Sequence, residues 1–254
     1  MRKEGAAFDR FGLLNGTKSG HSATLFFGDL HFNGTAVDLS KDPGWVGQGN
    51  KKTYTAKEQG GAHDFGFTST SHAGGSPGEI GGLIWRNPYA YFADRIAKVS
   101  MHHKLEASGR VVLEVGAPDS GMFLGWLNSS VRQADEFHPL KDRNFIGISI
   151  GGPTRVGHYF LPECATAGVR AVPKKGPILK QGQPYSWTFL FDPAANNGRG
   201  VMRVTLGEES VSYDFKKARF DPSAEFDRFG IFTLGTGGGQ VKVYFDDLTY
   251  TAQQ

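Results

Sequence analysis

The sequence has a single cysteine, Cys164, among 254 residues, so an internal disulfide is excluded and cysteine usage does not indicate the compartment. It also has no apolar run of 18 residues, and we therefore predict no membrane span. The first residues, MRKEGAAFDRFG, are charged, but no apolar stretch of a signal peptide follows them.

Long runs of one charge are also missing. Lysine and arginine are spread along the chain without a run of five or six, and the formal net charge is only +3. Because nucleic-acid-binding tails concentrate basic residues, we predict no nucleic-acid partner. A small positive charge is compatible with weak attraction of an anionic ligand. The oligomeric state is left open.

Glycine and aromatic residues are abundant, with 36 glycines and 20 phenylalanines. Glycine supplies the positive φ angles of tight turns, and aromatic rings fill the space between packed sheets. About a dozen short segments alternate apolar with polar residues and are joined by short connections. We therefore predict an all-β fold, a two-sheet antiparallel jelly-roll sandwich with little helix.

An internal repeat links the two ends of the chain. The segment from Phe8 to Phe32 aligns without a gap with the segment from Phe226 to Tyr250. Each has an apolar run, a Gly-rich middle and an alternating run, which is the pattern of a β-hairpin. We predict a jelly-roll domain over residues 33–254. Residues 1–32 are either the tail of an upstream copy or an added edge hairpin.

Three internal segments carry more specific expectations. GEIGGLIWRN reads as a strand with Ile80 and Ile84 on one face and Glu79 on the other. Residues 87–107 fit either a short helix after Pro88 or a strand. VRAVPKKGPILKQGQ is expected to be a loop, since its prolines oppose regular pairing.

The C-terminal quarter resembles the concanavalin A-like lectin and glucanase superfamily, of the laminin-G-like and bacterial glycan-processing type. The resemblance rests on PYSWTFLFDPAANNGRGVMRVTLGEESV, FDRFGIF and VKVYFDDLTY. It implies a jelly roll that binds polysaccharides on a concave sheet, and with that a secreted or periplasmic location. It does not imply one activity, because fold alone does not determine function.

Laminarinase-type hydrolases of that superfamily carry the motif E-x-D-x-x-E on one strand. The nearest match here starts at Glu79, and Gly81 and Ile84 occupy the two other acidic positions. The paired carboxylates of a retaining hydrolase are therefore missing there. If the protein is an enzyme, a polysaccharide lyase is expected before a hydrolase.

A β-eliminating lyase needs a cation to neutralise a uronate carboxylate, a base and an acid. Arg86 or Arg143 is the candidate cation, His102 the base and Tyr159 the acid. A second set of candidates would contact the substrate: Glu79, Lys104, Arg143, Trp45 and His63. Ordinary salt bridges and core or surface positions are the alternative interpretation of all these residues. A zinc site at His63, His102 and Glu79 has suitable atoms but no diagnostic spacing.

Asp247 follows Val243 and Phe245 in an alternating run, which predicts an inward-pointing carboxylate. One explanation is a structural calcium ion, the resemblance implying such an ion near the sheet edge. The other is a carboxylate that accepts backbone N–H groups or pairs with Arg228. Trp126 is expected to fill the core, beside Met122 and Leu124, and Cys164 to be inert.

Three functions follow from these observations. The leading hypothesis is a carbohydrate-active jelly roll that binds a polysaccharide. A polysaccharide lyase acting on an anionic glycan is the first alternative. A structural or adhesion module in a tandem array, suggested by the repeat, is the second.

Overall fold

The computed structural model describes residues 31–32, 35–38, 40, 62–86, 90–129, 144–166, 169–216, 221, 223–233 and 238–252. In chain order its elements are β1 (His31–Phe32), β2 (Thr35–Ala36), β3 (Asp64–Thr68), β4 (Glu79–Trp85), β5 (Tyr91–Ser100), β6 (Leu105–Gly116), β7 (Ser120–Leu127), β8 (Phe145–Thr154), β9 (Gly157–Thr166), β10 (Val169–Ala171), β11 (Ile178–Leu179), β12 (Tyr185–Asp192), α1 (Ala195–Gly198), β13 (Val201–Leu206), β14 (Glu209–Asp214), β15 (Glu225–Thr233) and β16 (Gln240–Tyr250).

Two antiparallel sheets form a sandwich, which confirms the predicted fold class. The first sheet has the strand order β14-β13-β12-β6-β16-β4-β3. The second has the order β10-β9-β8-β7-β15-β5, with β11 also paired to β9. Among the described residues, strands β1 and β2 pair only with each other. None of the helices in the described ranges has the length and apolar character needed to cross a bilayer.

The core lies between the two sheets and is rich in aromatic side chains. Alternate residues of each strand point inward, as the period of a strand requires. Trp126 of the second sheet is fully buried and contacts Phe189 of the first, with ring centroids 5.6 Å apart. Trp126 is therefore a core residue, as predicted. Cys164 is also buried, and burial raises the pKa of its thiol, which is consistent with an unreactive side chain.

The predicted C-terminal hairpin is wrong. Strand β15 lies between β7 and β5 in the second sheet, whereas β16 lies between β6 and β4 in the first. The chain thus crosses the sandwich between them. Ile231 and Val243 both enter the core between the sheets. Alternation reveals which face of a strand is buried but not which strand lies beside it.

Two further expectations are corrected. The helical alternative after Pro88 is wrong, because β5 is a ten-residue strand. The proline-rich segment is not wholly a loop, since β10 ends before Pro173 and β11 begins after Pro177. The prolines interrupt pairing only locally. The N-terminal repeat copy lies outside the described residues except for His31 and Phe32, so its assignment stays a prediction.

The outer face of the second sheet is closed at its centre. Phe123, Phe145 and Phe232 pack against one another there, with ring centroids 4.4–5.4 Å apart, and each is 1% exposed. Glu163 on the same face is fully buried and accepts two hydrogen bonds from Arg170. The centre of this face therefore offers no open surface.

The outer face of the first sheet is open over β6, β12, β13 and β14. Exposed polar side chains on this face include Glu106, Thr188, Arg203 and Ser212. They alternate with buried residues such as Trp187, Phe189 and Val204 that enter the core. Of the two outer faces, this one is accessible to a large ligand.

Candidate functional site

The loop between β3 and β4, residues 69–78, folds back over the outer face of the first sheet. Glu79 holds it there, because its buried carboxylate accepts three hydrogen bonds from the loop. The donors are the Thr70 hydroxyl at 2.7 Å and the backbone N–H groups of His72 and Ala73 at 2.9 and 2.8 Å. A buried carboxylate is tolerated when its oxygens are paired in this way.

The tip of the loop reaches β6, two strands away from β4. The Arg110 Nε donates to the Ala73 carbonyl at 2.7 Å. Ala73 is buried against Val112 and Tyr244. At Gly74 an added Cβ would collide with the carboxylate of Asp246, so the tip fits closely only because this residue has no side chain. The loop therefore forms a wall on the face of the sheet.

Four titratable side chains meet at this tip, and we call them the ionic cluster: His72, Glu114, Lys242 and Tyr244. The imidazole of His72 stacks on the Tyr244 ring, with centroids 4.4 Å apart and 19° between the planes. Glu114 contacts His72 Nδ1 at 2.5 Å and Lys242 Nζ at 2.8 Å. The hydrogen bond to Glu114 raises the pKa of Lys242.

A β-bulge in the pairing of β6 with β16 lies at Glu114, the residue that contacts His72 and Lys242. Lys242 is opposite Val115 and Val243 is opposite Leu113, which leaves Glu114 without a partner on β16. The side chains of His72, Glu114 and Lys242 are 35%, 25% and 38% exposed. The imidazole, carboxylate and ammonium groups of the cluster are thus anchored yet partly exposed, whereas Tyr244 is buried, with 7% of its surface exposed.

A depression of about 310 Å³ lies on the same face, near the start of β6. Its outward-facing lining consists of Glu106, Ser108, Thr188, Leu190 and Thr249. Lys104, predicted to contact substrate, forms an ion pair with Glu106 at 2.7 Å at its border. This volume is at the lower end of the range for small-molecule sites.

The three residues predicted to act as a lyase triad are not brought together. Tyr159 pairs with Gly151, which pairs with Gly121 near the start of β7. His102 lies in the turn after β5, beyond the opposite end of β7. Measured along β7, the positions of Tyr159 and His102 are therefore roughly 20 Å apart. His102, Tyr159 and Arg86 therefore do not form one site.

Arg86 and His63 have structural contacts instead. The Arg86 guanidinium pairs with Asp119, and its backbone N–H donates to Gly239 at 3.0 Å. His63 Nδ1 accepts the backbone N–H of Trp85 at 3.3 Å.

Glu79 lies on the predicted face, but its contacts hold the loop rather than line an open surface. Arg143 and Trp45 lie outside the described residues. Within the ranges described, no group of three or more His, Cys, Asp or Glu side chains is arranged to hold a metal ion, so the zinc set is not assembled.

Asp247 does not point inward, so that prediction is wrong. A register shift between Asp246 and Thr249 changes the alternation, and Asp247 has a φ of 52° and an exposed side chain. Arg228 pairs with Asp227 at 3.1 Å. The neighbouring carboxylates Asp246 and Asp247 supply oxygen ligands but not a complete calcium site among the described residues.

Sequence reasoning missed the residues of the ionic cluster and Arg110. Alternation along β6 and β16 would have placed Arg110, Lys242 and Tyr244 on an outer face. The fold-back of the β3–β4 loop has no signal in the sequence pattern, and it is this loop that brings His72 to the others.

Solved structures similar to this chain include alginate lyases and a carbohydrate recognition domain. Alginate lyase Aly36B has 9% identity over 70% of this chain and 82% of that chain, with a TM-score of 0.46. The carbohydrate recognition domain of Emp47p has 10% identity over 74% and 89%, with a TM-score of 0.44. The alginate lyase from Alteromonas sp. 272 has 12% identity over 74% and 82%, with a TM-score of 0.40.

No family model and no curated protein sequence matches the chain. A likeness with a TM-score below 0.5 does not indicate an activity, because proteins with β-sandwich folds have many different functions. The fold class rests on the strand pairing of the chain itself.

Proposed function

We propose that the protein binds a polysaccharide on the open outer face of the first sheet, beside the wall formed by residues 69–78. The observation that carries the proposal is the ionic cluster together with the depression on that face. Rings, carboxylates and hydroxyls there can form the stacking contacts and hydrogen bonds that a sugar offers. A polysaccharide ligand would fit a secreted or periplasmic location, which stays a prediction.

The charge of this face does not select an anionic ligand. At the loop tip, Arg110 and Lys242 are accompanied by the carboxylates of Glu79, Glu114 and Asp246. Elsewhere on this face, Arg203 is accompanied by Glu106. The binding test therefore uses neutral and anionic polysaccharides side by side, with alginate included because the neighbours named above are alginate lyases.

Binding is measured by affinity electrophoresis and calorimetry against alginate, pectate, laminarin and cellulose derivatives. Lys242→Gln is expected to weaken binding several-fold, because it removes a charged hydrogen-bond donor from the cluster. Lys98→Gln, at an exposed lysine of β5 in the second sheet, is the control and should bind like the wild type. No binding to any polysaccharide would overturn the proposal and favour a structural or adhesion module.

A polysaccharide lyase is the second candidate, and a specific observation favours it. His72, Tyr244 and Lys242 bring a base, a proton donor and a cation into contact, which are the three groups that β-elimination requires. Lys242 Nζ lies 5.6 Å from the centroid of the Tyr244 ring. Here these residues take the roles that the sequence assigned to His102, Tyr159 and Arg86.

The lyase test follows the ultraviolet absorbance of unsaturated products formed from alginate, pectate and glucuronan. Tyr244→Phe keeps the ring that stacks on His72 but removes the hydroxyl, so activity should fall at least about 100-fold. Tyr213→Phe, on the core side of β14, serves as the control. Absence of absorbance on every substrate would reject the lyase and leave the binding protein.

A further inference from the structure

The connection between β12 and β13 contains an asparagine that is directly followed by glycine. Asn196, Asn197 and Gly198 have φ angles of 56°, 57° and 75°, so these consecutive residues all adopt the left-handed conformation. Asparagine tolerates this conformation better than most residues with a side chain, and glycine adopts it without strain. The Asn-Gly pair therefore lies in a tight turn, where the reactivity of each asparagine depends on its contacts.

The two asparagines of this turn are held differently. Asn196 Nδ2 donates to the carbonyl of Phe215 at 2.9 Å, and Phe215 is fully buried just after β14. Asn197 is exposed, and within the described ranges no hydrogen bond engages its carboxamide. The side chain of Asn196 is therefore fixed, whereas that of Asn197 can rotate toward the backbone that follows it.

The residue that follows each asparagine also differs. Asn197 is followed by Gly198, which has no Cβ to obstruct an approach to its backbone nitrogen. Asn196 is followed by Asn197, whose side chain shields the corresponding nitrogen. The Gly198 N–H donates to the Ala194 carbonyl at 3.1 Å, and this hydrogen bond must open before the nitrogen can react. Local opening costs least where few side chains are packed, and none of residues 195–198 is buried.

We propose that Asn197 is a site of spontaneous deamidation through a succinimide. The backbone nitrogen of Gly198 loses its proton to hydroxide and forms a bond to Asn197 Cγ. The Cγ–Nδ2 bond then breaks, and the leaving nitrogen takes up a proton from water and departs as ammonia. Water opens the resulting ring at either of its carbonyl carbons. The products are aspartate and isoaspartate, and in isoaspartate the main chain runs through Cβ and Cγ.

Both products change the turn. A carboxylate replaces a neutral amide, so the formal net charge falls by one unit from +3. Isoaspartate also lengthens the main chain by one carbon between residues whose backbone groups pair across the turn. The Arg199 N–H donates to the Asn196 carbonyl at 3.2 Å, and the Gly200 N–H donates to the Ala195 carbonyl at 3.0 Å. Isoaspartate should therefore disturb these hydrogen bonds and lower the free energy of unfolding.

The test incubates the full chain in neutral and mildly alkaline buffers and follows the more acidic species by ion exchange. Trypsin releases residues 181–199 as one peptide, and its fragmentation in a mass spectrometer distinguishes Asn196 from Asn197. We expect conversion at Asn197 that is faster at higher pH, with isoaspartate detected by a methyltransferase specific for that residue. Asn197→Gly removes the carboxamide, keeps a residue suited to positive φ and should lose the acidic species from this peptide. Asn196→Gly is the matched control and should still form it.

The position of the conversion decides the proposal. Conversion confined to Asn197 within this peptide, and lost in Asn197→Gly, supports it. Equal conversion of Asn196 and Asn197 overturns it, because the contacts of the turn would then not select the site. An Asn197 that stays intact in the folded chain, while the same residue converts in urea, also overturns it.

Discussion

The imidazole of His72 lies 4.4 Å from the phenol ring of Tyr244 in a nearly parallel stack, although 172 positions of sequence numbering separate the two residues. The stack forms because the β3–β4 loop crosses two strands to reach β6. Glu114 and Lys242 join it at the loop tip, where their side chains are partly exposed. The candidate site therefore depends on how firmly the loop is held.

Glu79→Gln should loosen that loop. The substitution replaces a carboxylate that accepts three hydrogen bonds with an amide that cannot accept all of them. We expect the free energy of unfolding to fall by about 2 kcal/mol and proteolysis within residues 69–78 to accelerate. Urea denaturation and limited elastase digestion measure the two effects, since residues 69–78 contain no lysine or arginine after which trypsin could cleave. Glu209→Gln on exposed β14 is the control, and an equal loss there would contradict the assigned role.

Gly74→Ala should displace the loop tip, whereas Gly75→Ala should not. A Cβ at Gly74 meets the Asp246 carboxylate, but a Cβ at Gly75 meets no atom within 4 Å. Because the Asp246 side chain must turn aside and disturb the hydrogen bond that it accepts from the Asp247 N–H, we expect the free energy of unfolding to fall by about 1 kcal/mol in Gly74→Ala. The free energy of unfolding of Gly75→Ala should stay within about 0.5 kcal/mol of the wild-type value. Thermal unfolding distinguishes them, and identical curves would argue against the packed tip.

His158 should make the fold less stable below neutral pH. Ser120 donates to the Ala117 carbonyl at 2.5 Å, so His158 Nε2 donates to Ser120 Oγ at 2.9 Å. Burial lowers the pKa of His158 from its ordinary value near 6.5. The unfolded chain then binds the proton more strongly, so this contribution is present above pH 6.5 and is lost as the pH falls through the folded pKa.

The pH effect is measured as the free energy of unfolding between pH 8 and 5. One such group changes it by at most about 1.4 kcal/mol per pH unit. His158→Gln should remove this component of the slope, and His102→Gln, in an exposed turn, should retain it. A slope unchanged in His158→Gln would show that other groups cause it.

A calcium ion at Asp247 stays a prediction, now with an exposed rather than an inward carboxylate. A chelator should lower the melting temperature and added calcium should restore it, because an ion bound only to the folded state stabilises that state. Asp247→Asn should abolish the response. If the variant responds like the wild type, Asp247 is not a ligand, and if neither responds there is no stabilising calcium site.

The repeat predicts one of two responses to removal of residues 1–32. If they are the tail of an upstream copy, protease should remove them early and the remainder should resist digestion. If they add strands to this domain, their removal should expose a sheet edge and cause aggregation. Limited proteolysis and light scattering of the shortened chain decide between the two.

Alternation of apolar and polar residues was sufficient to predict the all-β class, the two layers and the buried faces. Ile84, Trp126 and Phe245 lie in the core as their positions in alternating runs indicate, because each strand must bury one face locally. Alternation is a property of a few neighbouring residues, and it indicates which face of a strand enters the core.

Contacts between distant parts of the chain decide which strands pair with one another. They also decide which face of the sheet the last residues of a strand occupy. Strands β15 and β16 separate into different sheets, and the register shift after Asp246 turns Asp247 outward, although both runs keep their pattern in the sequence. The ionic cluster has the same origin. His72 meets Tyr244, Glu114 and Lys242 only because Glu79 and Arg110 hold a loop across two strands, and such a contact has no local pattern from which to predict it.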